Sequence, residues 1–415
     1  MIAGGIDVIE RTPCDKEEKV YSFNRFLGAT LIVSGTTIGA GMLALPMTSA
    51  TAGFVNSAFL LMGMWAFMCF MALVTLEINL YFGKGMSIAT LAEKIFGKYG
   101  KWIASVSLLL LFHALMAAYI TGGSSFLKAG IESYAQTSTP FFLMALIFTA
   151  GLGFFVNSCT QSVDYANRFL FFFKIAAFVV MVSLLIPFVK LDNLSMNQGN
   201  LSYTWTAIPI FFTSFGFHGS IPSLINYVGP NHKTLRAAII IGSLIPLVVY
   251  LMWQTVTLGV LPISEIHSFG QEKNAATFIH HLNKITQKNT LDLVTNMFAF
   301  LAIATSFLGV AIGLFDHSAE TFKKNNSPKQ RLQTSLITFL PSLFFALFYP
   351  DGFIMALGYA AIALSILAVL IPAAICIRLR YMPCATYKVK SNLIALIISF
   401  LIGSGVIIIE IINWF

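Results

Sequence analysis

The residues best suited to chemistry lie where two long apolar stretches turn polar and glycine-rich at their centres. The first is Gly35-Thr36-Thr37-Ile38-Gly39-Ala40-Gly41, inside a stretch running from roughly Phe26 to Ala50. The second is Phe212-Thr213-Ser214-Phe215-Gly216-Phe217-His218, midway through a later stretch. Each glycine weakens a helix by about 1 kcal/mol relative to alanine. Backbone groups left unpaired at membrane depth cost several kcal/mol more, unless protein or a water-filled cavity satisfies them. Both helices are therefore expected to break beside a cavity.

A broken helix offers a partner to each end of a zwitterion. Amides near Gly39, Ala40 and Gly41 present positive partial charge to a carboxylate. Carbonyls near Thr37 and Ile38 suit an ammonium, the break at Ser214–Gly216 supplies a second set, and Thr36 and Thr213 beside them are further candidates for the site. Glycine is needed where ligand meets backbone, because no β-carbon intervenes. Phe212, Phe215 and Phe217 are candidates for an aromatic slot, although the chain has 39 phenylalanines and most must face lipid or core.

Ionisable groups at membrane depth are functional candidates by default. Lys174, within Phe171-Phe172-Phe173-Lys174-Ile175-Ala176-Ala177, is the sharpest, too central to reach an interface easily. An amine held out of water gives up its proton more readily than one in solution, so it reads as a proton switch. The alternative is a permanently charged lysine tying helices together through carbonyls. His218, inside the second break, either titrates near neutrality or stays neutral and bonded to unwound backbone. Glu77 is expected to be a structural partner of nearby polar backbone, His113 a packed or pocket-edge residue, and Glu410 to reach interfacial water.

The elements that must position these groups follow from hydropathy. The chain of 415 residues is 57% hydrophobic and only 10% charged, with mean hydropathy +0.81. Soluble domains carry about 25% charged residues, so this is an integral membrane protein. Apolar runs at helix length give about eleven spans, at 25–50, 54–82, 101–127, 139–157, 163–187, 203–227, 235–262, 289–315, 332–349, 351–379 and 391–414. Nothing alternates as an outer-membrane barrel would. Residues 1–24 are polar, mixed in charge and lack the apolar core of a signal peptide, which reads as a cytoplasmic tail.

Lysine and arginine are distributed unevenly among the loops. Lys84, Lys94, Lys98, Lys101, Arg168, Lys233, Arg236, Lys323, Lys324, Lys329, Arg331, Arg378, Arg380, Lys388 and Lys390 collect on one side. Lys128, Lys190, Lys273, Lys284 and Lys288 fall on the other. The positive-inside rule then puts the amino terminus in the cytoplasm and the Trp414-Phe415 end on the exterior. The inner segment 84–101 reads as an amphipathic surface helix. The outer connection of about 264–288 reads as a surface loop or short lid helix, and adjacent His280 and His281 point in different directions, which argues against a metal site. The five cysteines lack ligand spacing.

The two breaks sit in matching places, in spans one and six, each with a proline several residues later (Pro46 and Pro222). Five spans separate the two starts, so the halves insert with opposite orientation. That pattern points to an inverted-repeat secondary transporter with its site between the broken helices. The repeats are 25–187 and 203–379, with 391–415 an additional helix. The competing reading is that the glycines only permit close helix packing. A channel has no use for two broken half-helices, and an enzyme needs a reactive constellation that is missing: there is no HExxH, no GxSxG and no phosphate-cradling loop.

These residues together resemble the hydroxy/aromatic amino acid permease family. The resemblance rests on Gly35 to Pro46, on Ile210 to Ser223, on Ala304-Thr305-Ser306-Phe307-Leu308-Gly309-Val310-Ala311-Ile312-Gly313-Leu314-Phe315-Asp316, on Arg331-Leu332-Gln333-Thr334, and on Phe345 to Tyr359. It covers nearly the whole membrane region and departs in the polar amino terminus and the loop after residue 262. It implies a bacterial inner-membrane importer of aromatic amino acids, tyrosine foremost, driven by protons, with eleven spans and no cofactor beyond the coupling ion. No nucleic acid and no obligate protein partner are expected, only substrate and lipid. Tryptophan, serine or threonine as substrate, or sodium as coupling ion, are the alternatives. The resemblance also places Thr305 and Ser306 near the first break, where hydroxyls hold sodium in sodium-driven relatives. It matches Lys174 to a lysine that replaces that ion, and Phe212 to an aromatic gate. His218 falls where an acidic residue occurs in a distant branch.

Overall fold

The computed structural model describes residues 23–83, 85–135, 137–158, 160–195, 203–261, 275–286, 289–322, 327–381, 389 and 392–415. The 1–22 part of the expected tail and the 262–274 part of the outer connection lie outside the described residues. Among those described, the secondary structure is helical, with no strand.

The first apolar stretch forms α1 (Phe23–Thr37) and α2 (Gly41–Ser49), which meet at 51° across Ile38, Gly39 and Ala40. Next come α3 (Phe54–Tyr81), α4 (Ile88–Ala135), α5 (Phe141–Ser158) and α6 (Thr160–Leu185). The sixth stretch divides into α7 (Thr204–Thr213) and α8 (Ile221–Val228), joined by a turn and a short 3-10 segment, His218–Ser220. Then follow α9 (His232–Val260), α10 (Ala275–Thr286), α11 (Asn289–Thr321) and α12 (Pro328–Phe348). A turn at 349–352 leads to α13 (Phe353–Ser365), which continues through a π-helical turn, Ile366–Leu370, into α14 (Ile371–Leu379). The chain ends in α15 (Leu393–Ile412).

Nine of these helical segments are long and apolar enough to cross a membrane, and ten if the bent α1–α2 pair is one span. The remaining expected span, Phe141–Asn157, is helical but shorter than that length. Lipid-facing side chains such as Phe154, Phe172 and Ile394 are about two-thirds exposed, as apolar residues are where hydrocarbon replaces water. Many hydroxyls inside the helices satisfy themselves against their own backbone: Thr121 donates to Ala117 O at 3.0 Å and Thr30 to Phe26 O at 2.9 Å.

The expected surface helix is the beginning of α4. Gly97 (φ 68°) turns it, and Glu93 pairs with Lys101 across the bend at 3.0 Å. The lid reading of the outer connection corresponds to α10, whose Ala275, Phe278 and Ile279 are buried. That face packs on α2, α4, α9 and α11. His280 sits on its exposed side, while the side chain of His281 is outside the described set.

Two packing units position the site. The large core runs through α4, α6, α11 and α13. A smaller cluster joins α1 (Ala29, Val33) to α3 (Ala72, Leu76), α8 (Leu224, Ile225) and the start of α9 (Leu235, Ile239). The approach of α1 to α9 is close: a β-carbon at Gly242 would lie 2.7 Å from Val33 Cβ and 2.9 Å from Thr30 O.

Two expectations about ionised groups need refinement. Glu77 does bond backbone, accepting from Val389 N at 2.8 Å, but its main partner is Arg380, which reaches both carboxylate oxygens at 2.6 and 3.1 Å. The pair ties α3 to the end of α14. Glu410 does not reach interfacial water. It is only 5% exposed, accepts from Trp414 Nε1 at 3.1 Å, and its carboxylate fills the space where a β-carbon of Gly358 would stand. The reason is that α15 seats directly on the α13–α14 segment, with Ser365 Oγ donating to Gly403 O at 2.8 Å. His113, packed against Ser342 with Nδ1 at 3.0 Å from its hydroxyl, is as expected.

Removing one partner of a buried ion pair costs about 3–5 kcal/mol because the other charge is stranded. Glu77→Gln is therefore expected to lower the melting temperature of the detergent-solubilised protein. The double variant Glu77→Gln/Arg380→Gln should recover part of that loss, and a thermal denaturation series checks both.

Candidate functional site

The breaks in the first and sixth stretches face one another, and the groups around them form a connected set. At the end of α1 the carbonyls of Thr37 and Ile38 have no helical partner, as the terminus of any helix requires. Neither is left open. Lys174 of α6 donates to Ile38 O at 3.0 Å, and Tyr250 of α9 donates to Thr37 O at 2.6 Å.

Lys174 is 2% exposed. Its ammonium also donates to Thr305 Oγ1 at 3.2 Å and stands 4.6 Å from the centre of the Phe171 ring, within cation–π range. Among the described residues no carboxylate pairs with it. A buried charge is tolerated only when hydrogen-bonded, and here dipoles alone carry it. Thr305 donates its own proton back to Leu301 O at 2.9 Å, so its oxygen is fixed as an acceptor.

Ser306 repeats this arrangement one residue on. It donates to Ala302 O at 2.9 Å and accepts from the Ala40 amide at 3.0 Å. The Tyr119 hydroxyl of α4 approaches it as well. A β-carbon at Gly39 would fall 2.7 Å from Ser306 Oγ, so only glycine lets α11 come this near the break. The Gly39 amide faces the Tyr250 oxygen. The Gly41 amide makes no hydrogen bond among the described residues, which leaves a donor for an anionic group at the start of α2.

Tyr250 reaches both breaks. Its hydroxyl lies 3.1 Å from Ser214 O as well as 2.6 Å from Thr37 O. One proton serves two acceptors, so the ends of α1 and α7 are drawn to a single atom. Sequence reasoning passed over Tyr250; the available signal was a phenol at mid-depth in an apolar span, where a buried hydroxyl must find a partner.

A cavity of about 1420 Å³ opens from the breaks. Its wall takes Gly28 and Leu31 of α1, Pro222 and Tyr227 of α8, and 85–87 before α4, but nothing of α2 beyond Gly41 and nothing of α7 before Thr213. It therefore leads only to the side on which α1 begins and α8 ends. On the opposite side Phe211, Phe212, Trp253, Phe278 and Phe298 are fully buried.

Of the residues singled out from sequence, Thr36, Thr37, Ile38, Gly39, Gly41, Thr213, Ser214, Gly216, Lys174, His218, Thr305 and Ser306 line this cavity. Ala40, Phe212 and Phe215 do not. Ala40 is fully buried with its amide on Ser306. Phe212 packs against Phe67 at 6.5 Å on the closed side, and Phe215, fully buried, meets Tyr250 edge-on at 5.4 Å. His218 is 6% exposed, lies beside Phe217 and faces the Met68 carbonyl. Its ring nitrogens make no hydrogen bond of good geometry, so the bond to unwound backbone is not formed.

An all-helical membrane protein with a cavity reached from one side, lined by polar groups at two interrupted helices and by apolar side chains elsewhere, has the form of a solute permease. The profile of the Tryptophan/tyrosine permease family matches residues 22–410, and the chain belongs to that family. Similar proteins include the Tyrosine-specific transport system 1 of Haemophilus influenzae, 41% identical over 92% of this chain and 95% of the relative. Tyrosine-specific transport system 2 of the same organism is 39% identical over 94% and 97%. Its Tryptophan-specific transport protein is 35% identical over 91% and 92%.

Two substitutions test the arrangement. Gly41→Val places a branched side chain where even a β-carbon is 3.2 Å from Ser214 Oγ, and it is expected to abolish tyrosine binding while leaving membrane insertion intact. Tyr250→Phe removes one hydrogen bond, worth about 1 kcal/mol net, and strands buried carbonyls at about 1–3 kcal/mol more. Thermal denaturation of the purified, substrate-free protein should show a melting temperature below that of the wild type.

Proposed function

We propose that this protein imports aromatic amino acids, tyrosine foremost, across the bacterial inner membrane by proton symport and alternating access. The observation that carries the reading is the Lys174 ammonium held on Ile38 O and Thr305 Oγ1. A cation is needed at this junction of break and α11, and the chain supplies one that is tethered and can take or lose a proton. The two tyrosine-specific relatives at 41% and 39% identity favour tyrosine over tryptophan.

The substrate carboxylate is assigned to the free Gly41 amide and the start of α2, where the helix dipole favours an anion. Its ammonium is assigned to the carbonyls at the end of α1 and at Ser214, in competition with the Tyr250 hydroxyl. Thr36, Thr213 and Gly216 complete the wall. No cofactor takes part; the coupling ion is the proton on Lys174. That proton stays while Ile38 O and Thr305 Oγ1 accept from it, and it leaves when a rearrangement of α1 withdraws the carbonyl.

The same reading makes 25–187 and 203–379 inverted repeats, with α15 added outside them. It takes the cluster of α1, α3, α8 and α9 as a unit that rocks against α4, α6 and α11. With the amino terminus cytoplasmic by the positive-inside rule, the open cavity faces the cytoplasm, and this conformation is the one that releases substrate.

The test is uptake of labelled tyrosine into proteoliposomes under an imposed proton or sodium gradient, with unlabelled amino acids as competitors. A proton gradient should drive accumulation and a sodium gradient should not. Lys174→Ala is expected to lose gradient-driven accumulation while retaining exchange of internal for external tyrosine. Full accumulation in that variant would end the assignment of coupling to Lys174.

A further inference from the structure

The cavity of about 1420 Å³ exceeds the ~300–1,000 Å³ usual for small-molecule pockets, so a local feature must decide which side chain it accepts. We infer that Gly309 of α11 sets the ring size admitted, a reading that rests on the substrate site proposed above. Residues four apart on a helix lie one above another. Thr305, Gly309 and Gly313 therefore form one ridge of α11, and all three line the cavity. Its upper end is fixed to the break, because Thr305 accepts from Lys174 and the adjacent Ser306 accepts from Ala40 N.

Gly309 lies four residues below Thr305, about 6 Å at the helical rise. That is the reach of a ring joined through one methylene to an α-carbon held at the break. The ridge carries no side chain there, and a β-carbon built on Gly309 meets nothing within 4 Å. One turn further, a β-carbon on Gly313 would stand 3.1 Å from the Phe112 ring. The ridge is thus a groove, open at Gly309 and stopped by Phe112.

The cavity's other glycines mostly serve packing instead. At Gly39 the β-carbon is crowded by Ser306, at Gly216 by Leu364, at Gly28 by Tyr227 and at Gly85 by Pro222 O. Gly219 is as open as Gly309 but lies on the 3-10 turn before α8, towards the mouth. Volume added at Gly309 enters the space beside the break without disturbing a neighbour. In an apolar pocket one methylene changes discrimination by about 10–200-fold.

The experiment is exchange of labelled tyrosine in proteoliposomes carrying the full chain, inhibited in turn by phenylalanine, tyrosine and tryptophan. Gly309→Ala and Gly309→Val are compared with wild type, with Gly219→Ala, and with Gly405→Ala on α15 outside the cavity. The Gly309 variants should raise the half-inhibitory concentration of tryptophan at least ten-fold more than that of phenylalanine, with valine the stronger. The two control variants should leave the order and spacing unchanged. An equal shift for all three inhibitors, no shift, or a ring-size shift confined to Gly219→Ala would overturn the assignment. Wild-type protein that exchanges no tyrosine would instead remove the substrate reading beneath it.

Discussion

One ammonium and one backbone carbonyl organise the centre of this protein. The end of α1 halfway through the membrane leaves carbonyls that lipid cannot satisfy, and Lys174 brings a charge that lipid cannot solvate. Neither is tolerable alone. Together, at 3.0 Å, they satisfy each other, with Thr305 Oγ1 and the Phe171 face taking the remaining directions of the ammonium. A dipole–charge contact of this kind is conditional on geometry: moving α1 relative to α6 and α11 alters what the lysine can hold.

The second tie is Tyr250, whose hydroxyl gathers the ends of α1 and α7. Lys174 binds the first break to the α6–α11 side, whereas Tyr250 binds both breaks to α9. The breaks are therefore shared between two packing units, one of which includes the small cluster of α1, α3, α8 and α9. A site that two units complete jointly is suited to opening on one side at a time. The one-sided cavity, sealed beyond the breaks by Trp253, Phe278 and Phe298, fits that logic.

Much of this was legible in the sequence because the evidence was local. Glycines and threonines at the centre of an apolar run can only mean a break or a packing face, and α1–α2 is broken at Ile38, Gly39 and Ala40. A lysine among phenylalanines had to find partners, and it did. The meeting of Thr305 and Ser306 with that break came from family resemblance, since no spacing rule links residues 266 positions apart. Tyr250 was invisible for the same reason: its partner Thr37 is 213 positions away, and a tyrosine in an apolar span looks like any other core aromatic. Glu410 was misjudged because its position near a helix end suggested water, whereas the packing of α15 on Gly358 buries it. Phe212 fell on the closed side and Phe215 packed against Tyr250, placements that a sequence pattern common to both breaks does not encode.

The central claim is that the lysine nitrogen carries the proton that accompanies substrate. It is tested most directly by adding tyrosine to weakly buffered proteoliposomes, with no ion gradient imposed, while recording external pH and labelled uptake together. The account predicts alkalinisation of the medium in step with tyrosine entry, in wild-type protein and not in Lys174→Ala. Tyrosine entry in the wild type with the external pH unchanged would contradict it.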